Sequence, residues 1–402
     1  MTTARLRPVE GTAWQRHLLA AAASAAVGVI VHLASPLIPA QLAVVGLGIG
    51  LVGAAFMLAW AADAGEGVFS GGLVLAVVAL VTVLPEYIIE VRFAFIQEAA
   101  LVTANLTGAT RLLLTGAMAL PLLVILIARR RGQAAAPMRL PANRRLELGI
   151  LLIASIFAVQ IVVRGSLTVV DAIVLIALYI LYARRVQGTP DEKPAVVGVG
   201  AGLLSLPPQY RRPAITALIV LAAAVIVTIA NPFADALLST GTSLGIDPYL
   251  LIQWVVPTLT EAPEFVVVAV LVVNHRPAQG LALLLAASLT QWTLGLGSLP
   301  IAYLAGGGGF ALPLTGREQV ELGLTIAVTL FVVSALAILR PERVDAFFLV
   351  GIFLVQIIYP TPFVRFAAAL VLLVFAIDLL CARRHLIPPL LRAGFGRGTL
   401  RR

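Results

Sequence analysis

The sequence contains a single cysteine, Cys381, and only four histidines, His17, His32, His275 and His385, scattered over 402 residues. One cysteine excludes an intramolecular disulfide, and histidines so dispersed form no metal-ligand spacing. Charge is scarce as well. Asp, Glu, Lys and Arg make up 12% of the chain against 60% hydrophobic residues, and the mean hydropathy is +1.03. A soluble chain of this length needs a polar surface that this composition does not supply. There is no His-Glu-x-x-His, no Ser/His pair and no pair of intramembrane aspartates, which argues against an intramembrane enzyme. Nothing offers a site for a soluble cofactor, so none is expected beyond a transported cation. No small-residue cleavage signal follows residues 17–35, which read as a retained first span.

What the chain has in abundance is apolar runs of the length that crosses a bilayer, about 20 residues each. They fall near 17–35, 41–62, 68–92, 99–128, 146–163, 167–183, 213–240, 248–273, 278–304, 319–339, 343–358 and 363–382. The expected fold class is therefore an all-α integral membrane protein with about 12 transmembrane helices.

The formal charge of +9 does not point to nucleic acid, because the basic residues cluster in short connections. With the N-terminus placed in the cytoplasm, Arg5, Arg7 and Arg16 lie inside. So do Arg129, Arg130, Arg131, Arg139, Arg144 and Arg145, and the connection carrying Arg184, Arg185, Lys193, Arg211 and Arg212. The basic tail 383–402 joins them, whereas Arg92, Arg164, Arg317 and Arg365 fall outside and Arg111 lies within a span. This is the positive-inside pattern. It predicts cytoplasmic termini, a multi-pass protein of a cell membrane of the bacterial inner-membrane type, and contact of the Arg clusters with anionic lipid headgroups. Oligomeric state is not legible.

The Pro- and Gly-rich stretch 184–212 divides the chain into halves that repeat. Glu147-Leu148-Gly149 recurs as Glu321-Leu322-Gly323, and Val170-Asp171-Ala172 recurs as Val344-Asp345-Ala346 at the same offset. Pro85-Glu86 recurs as Pro263-Glu264, and Pro121 as Pro300. Each half then holds five spans, 41–183 and 213–358, with extra helices at 17–35 and 363–382 and an N-terminal tail over 1–16. Five is odd, so the two repeats are expected to be inverted. Inverted repeats are the architecture of many secondary transporters, whose sites lie at mid-membrane where the repeats meet.

The Pro-Glu pairs carry the chemistry. Proline lacks an N–H and displaces the carbonyl four residues earlier, so Pro85 frees the carbonyl of Val81 and Pro263 that of Leu259. In lipid such groups need a protein, water or ion partner. A freed carbonyl beside a carboxylate makes a hard-oxygen setting suited to Ca2+ or Na+. Glu86 and Glu90 are spaced four apart, Glu261 and Glu264 three apart, so each pair shares a helix face. Each ionisable group at a helix centre costs about 2.5–3.5 kcal/mol on insertion scales. These carboxylates thus imply bound cations or protons, and competition between the two is a physical basis for exchange.

For Glu86 and Glu264 the plainer alternative is a protonated, structural carboxyl. Glu90 has the option of pairing with Arg92 at the interface, and Glu261 that of a proton site or salt bridge. Asp171 and Asp345, near span starts, read as helix caps.

A second polar cluster follows each pair: Thr103 to Arg111 with Asn105, and Ala287 to Thr293 with Ser288, Thr290 and Gln291. Small residues explain close packing, while Asn105 and Gln291 point to a functional role. Arg111 requires a partner, for which Glu86 or Glu90 would serve. A fixed cation there also stands in electrostatically for one transported cation.

These residues resemble the cation/Ca2+ exchanger superfamily, which includes the sodium/calcium exchangers. Thr82-Val83-Leu84-Pro85-Glu86 and Thr260-Glu261-Ala262-Pro263-Glu264 resemble its Thr-Ser-x-Pro-Glu motifs, and Asn105-Leu106-Thr107-Gly108 its Asn-x-x-Gly. The run from Asn231 through Asp247 looks like the long helix that precedes the second motif. The resemblance implies an alternating-access antiporter in which Glu86 and Glu264 are the metal-binding glutamates. Thr82 and Thr260 would add oxygens, and Glu261 and Glu90 would tune charge or bind protons. The chain departs from the pattern at Val83 and Glu261, where the family has serine, and at Gly108-Ala109-Thr110. Its second polar cluster has no counterpart of the usual acidic or Asn ligand.

The reading is a cation antiporter exchanging Ca2+ or Na+ for Na+ or H+, not an enzyme. Two alternatives stand beside it: a proton-coupled carrier of a non-metal substrate with Arg111 as counter-charge, and a non-transporting scaffold or sensor that keeps the fold.

Overall fold

In lipid every backbone polar group must be satisfied within its own segment, so charge-free runs of Leu, Val, Ile and Ala fold as helices. In a computed structural model, which describes residues 13–69, 83–130, 138–186 and 196–395, these runs are helical. In chain order they are α1 (Ala13–Leu33), α2 (Ala40–Glu66), α3 (Leu84–Phe95), α4 (Ala99–Arg130), α5 (Arg145–Arg164) and α6 (Val169–Val186). There follow α7 (Gly198–Leu204), α8 (Pro208–Ser243), α9 (Pro248–Thr260), α10 (Ala262–Val273), α11 (Pro277–Thr290) and α12 (Leu296–Ala305). The last are α13 (Gly316–Leu336), α14 (Arg343–Ile358), α15 (Pro362–Ala382) and α16 (Ile387–Phe395). One short antiparallel pair interrupts them: β1 (Ser166–Thr168) lies against β2 (Ala311–Pro313), with Leu167 opposite Leu312.

Among the described residues, eight helices are long and apolar enough to cross a membrane, or nine if α9 and α10, bent by 48°, count as one span. The protein is thus a multi-pass integral membrane protein. Most of the expected segment 68–92 lies outside the described residues. The segments expected at 167–183 and 343–358 are α6 and α14, of 18 and 16 residues. At 1.5 Å per residue α14 reaches about 24 Å, short of the roughly 30 Å hydrocarbon core.

The chain forms two compact units, each drawing on both halves of the sequence: residues 1–88 with 191–246, and 89–190 with 247–402. In the first unit α1, α2 and α8 meet where glycine leaves room. A Cβ on Gly28 would lie 2.7 Å from the Gly50 Cα and 2.9 Å from Ile229 Cδ1. Small residues let helix backbones approach this closely, which supplies the packing contact that apolar surface alone cannot provide in lipid. A small cluster of Ala64, Val199, Leu203 and Ile215 closes around α7.

In the second unit α13 is buried almost throughout, from Leu322 to Leu336, and packs against α15, α5 and α4. A helix apolar on all sides belongs at the centre of a bundle. The strand pair ties the α5–α6 connection to the α12–α13 connection.

Asp171, the third residue of α6, accepts hydrogen bonds from the backbone N–H and the hydroxyl of Thr168, the reciprocal half of a capping box in which Thr168 is the cap, and also pairs with Arg164. The segment read as a basic tail contains α16. Its Leu390 is fully buried against α5, and Arg383 Nη1 donates to the Ser334 and Ala335 carbonyls at the end of α13.

Candidate functional site

The second Pro-Glu pair sits where the proline places it. α9 ends at Thr260, Glu261 forms the junction, and Pro263 occupies the first turn of α10, the helical position at which its missing N–H costs nothing. Pro263 has no N–H to offer the Leu259 carbonyl, so the span breaks there. Glu261 and Thr260 are buried, and the Thr260 hydroxyl donates to the Val256 carbonyl at 3.1 Å. Glu264 is half-buried on the first turn of α10.

In the first half Pro85 and Glu86 lie in the first turn of α3, both buried. Thr82 and Val81 lie outside the described residues. Glu90, one turn after Glu86, is fully buried and accepts a hydrogen bond from Asn105 Nδ2 of α4 at 3.1 Å. This joins the two first-half clusters. The Asn105 Oδ1 is buried without a donor. Among the described residues no three His, Cys, Asp or Glu side chains converge as a metal-binding group. Any bound cation would therefore draw on hydroxyl, amide and backbone oxygens as well as carboxylates.

The second-half cluster is distorted in a way the sequence does not announce. Helix α11 runs into a π turn at Gln291–Gly295 before α12 resumes. Such single wide turns recur at functional sites. Gly295 makes room for the Gln291 side chain, since a Cβ there would lie 2.9 Å from Gln291 Oε1. Trp292 Nε1 donates to Thr329 Oγ1 at 2.8 Å, fixing the turn to α13. A narrow crevice is lined by Thr107, Thr110, Gln291, Trp292 and Thr325 with Leu106 and Leu322. Ser288 and Thr290 direct their hydroxyl protons to the Leu284 and Ala286 carbonyls one turn back, leaving only lone pairs for any ligand.

Arg111 does not take the partner expected of it. It is fully buried in α4, and its ion pair is with Glu321 of α13, Nη2 to Oε2 at 2.6 Å, rather than with Glu86 or Glu90. Its Nη1 donates to Gln356 Oε1 of α14, its Nε to the Thr107 carbonyl at 3.0 Å, and its Cζ lies 5.2 Å from the centre of the Trp254 ring. The expectation failed because helix spacing identifies neighbours within a span, and this pairing joins residues 210 apart.

The same Glu321 carboxylate pairs with Arg365 of α15. Arg365, an arginine that the charge distribution places at the outer side, is 3% exposed within the first turn of α15. Gln253 of α9 completes the node. Its Nε2 donates to Glu321 Oε2 at 2.9 Å and to Thr107 Oγ1 at 3.3 Å, and its Oε1 accepts from Arg365 Nη2 at 3.1 Å. One buried carboxylate thus faces two guanidinium groups, a net +1, with five helices tied to it.

Gln253 comes this close because Gly108 has no side chain. A Cβ on Gly108 would lie 2.8 Å from the Gln253 carbonyl carbon and nearer still to its oxygen. The sequence reading missed Gln253, Glu321, Gln356 and Arg365. The available signal was weak: isolated polar residues in Leu-Ile-Gln253-Trp and Leu-Val-Gln356-Ile, and an intramembrane arginine short of a partner.

The family model for the sodium/calcium exchanger protein matches residues 39–186 and 214–377, both halves of the chain. The chain belongs to the sodium/calcium exchanger family. It is accordingly a transporter and not an enzyme. Among solved structures, the H+/Ca2+ exchanger CAX is 28% identical, with a TM-score of 0.86 over 95% of this chain and 98% of that one. Native YfkE is 16% identical, with a TM-score of 0.62 over 91% and 99%. A structure of the sodium-calcium exchanger NCX_Mj is 15% identical, with a TM-score of 0.52 over 85% and 99%. The last two show the exchanger fold alone. No curated protein matches the sequence. As an exchanger-family member, the chain combines a buried Glu/Arg network with a span broken just before Pro263-Glu264.

Proposed function

We propose that this exchanger-family protein is a secondary active cation antiporter that exchanges Ca2+ or Na+ for Na+ or H+ by alternating access. Glu86 and Glu264 bind the ion. The observation that carries this reading is the span broken at Glu261, with Pro263 and Glu264 opening α10, in a chain whose two halves both match the family. The likeness to the H+/Ca2+ exchanger CAX favours Ca2+ as cargo and H+ as counter-ion.

Glu261 and Glu90 tune the charge or accept protons. Thr82, Thr260, Asn105, Ser288, Thr290 and Gln291 add oxygens. Twelve spans in two inverted five-helix repeats, an extra helix at each end, both termini in the cytoplasm and a bacterial inner membrane complete the proposal. Anionic lipid headgroups neutralise the Arg clusters. The rival carrier of an anionic or organic substrate needs Arg111 as a counter-charge, and the engagement of Arg111 by Glu321 and Gln356 weighs against it.

Thermal stabilisation of the purified protein by Ca2+, Na+ and K+ across pH tests the reading, because a ligand of the native state stabilises it by mass action. The cargo cation raises the melting temperature of wild type and not of Glu264→Gln. Equal shifts in both proteins, or no shift with any cation, would count against it.

A further inference from the structure

The net positive node is tied through Gln253 to α9, the helix that ends at the junction just before the proposed ligand Glu264. Gln253, hydrogen-bonded to both Glu321 and Arg365, precedes the junction residue Glu261 by eight residues on α9. At 1.5 Å per residue this is about 12 Å. We infer that Arg365, contributed by the helix outside the two repeats, sets the valence selectivity of the exchanger by holding one uncompensated positive charge behind the ion site. This inference rests on the cation-antiport reading above.

The node is lopsided by construction. Arg111 and Glu321 alone would cancel, and they already have a 2.6 Å ion pair. Arg365 adds a second guanidinium to the same carboxylate, so its charge has no acid of its own within the node. Its Nε is buried without an acceptor. Other nearby charges are committed elsewhere. Arg317 pairs with Asp247 at 2.7 Å, and the Glu318 carboxylate caps Thr315 at the start of α13. These stay constant when Arg365 is changed, so the background cancels from any comparison between variants. The recurrent position in the first half has no such arrangement: Glu147 pairs locally with Arg144 at 2.7 Å.

Arg365 lies beside Gln253, so the rise of about 12 Å along α9 sets the scale of its separation from the junction. A unit charge at that scale, with an effective dielectric constant of about 20, weakens binding of a monovalent cation by about tenfold. For a divalent cation the energy doubles and the factor becomes about a hundredfold. Arg365 therefore biases the site against divalent relative to monovalent cations by about tenfold. It loosens Ca2+ into a range from which it can be released.

The test is cation affinity of the purified protein, measured by titration with Ca2+ and separately with Na+, for wild type, Arg365→Gln, Arg365→Lys and Glu321→Gln. Structural damage weakens binding whichever variant causes it, whereas electrostatics gives opposite signs. Arg365→Gln is expected to tighten Ca2+ by about a hundredfold and Na+ by about tenfold. Arg365→Lys keeps the wild-type ratio of the two affinities. Glu321→Gln weakens both, Ca2+ more. Should Glu321→Gln fail to fold, the sign of the Arg365→Gln effect still decides. Unchanged or weaker Ca2+ binding in Arg365→Gln, with wild type binding normally, overturns this inference and leaves the antiport reading standing. Absence of cation binding to wild type overturns both.

Discussion

Replacing Gly108 with alanine puts a methyl group where the Gln253 carbonyl already lies, 2.8 Å from its carbon and nearer to its oxygen. The obstacle is backbone, so no rotamer change relieves it, and α4 and α9 must move apart. Overpacking in a tight interior costs about 1–3 kcal/mol. Separation also pulls the Gln253 amide from Glu321 at 2.9 Å and Arg365 at 3.1 Å, and hydrogen bonds to charged groups are worth about 1.5–3 kcal/mol each. Loss of one brings the expected destabilisation to about 2.5–6 kcal/mol, and loss of both to about 4–9 kcal/mol. Gly323→Ala is the control: it lies on α13 in the same unit with nothing within 4 Å of a built Cβ. It is expected to gain about 0.5–1 kcal/mol from helix propensity. Thermal unfolding of the detergent-solubilised proteins reads both. A Gly108→Ala protein that melts with wild type, or a Gly323→Ala protein that falls as far, would refute the packing argument.

Arg111→Gln leaves Arg365 to neutralise Glu321 and breaks one buried pair, so it should cost less than Glu321→Gln, which strands two guanidinium groups. Removing one partner of a buried pair typically costs about 3–5 kcal/mol, and the order of melting temperatures checks the prediction. At the other end of the unit, Gly149→Ala drives a methyl group into the Leu390 carbonyl, 3.1 Å from its carbon. It should release α16 from α5 and expose residues 383–395 to limited proteolysis that wild type resists. An unchanged cleavage pattern would show that α16 does not depend on this contact.

The multi-span membrane class, the family and the broken second helix were legible because each is written locally: apolar run length, the Thr-x-x-Pro-Glu pattern, and a proline with no N–H. Asp171 as part of a helix cap was legible for the same reason, its partner Thr168 being three residues away. The buried node was not. Glu321 entered the sequence reading only as the counterpart of Glu147, and the two do opposite things. Glu147 takes Arg144, the residue just before its own helix, and Glu321 takes arginines from α4 and α15. Repeat symmetry says nothing about which other helix supplies a partner.

The burial of Arg365 was not legible because counting charges assigns a residue to a side of the membrane and does not tell whether a first-turn arginine turns into the bundle. The π turn at Gln291 was hidden because the helices on either side of it are apolar nearly all round, so the shift of about 100° from one extra residue leaves no mark on the pattern. Helix α16 was hidden among arginines that compositionally read as a tail.

The measurement that tests the central claim most directly is cation exchange in vesicles reconstituted with wild type, Glu86→Gln and Glu264→Gln. Ca2+ or Na+ uptake should be driven by an opposing Na+ or H+ gradient in wild type and be abolished in Glu264→Gln. Uptake that persists in Glu264→Gln, or wild-type vesicles that move none of Ca2+, Na+, K+ or H+ against a gradient, would contradict it.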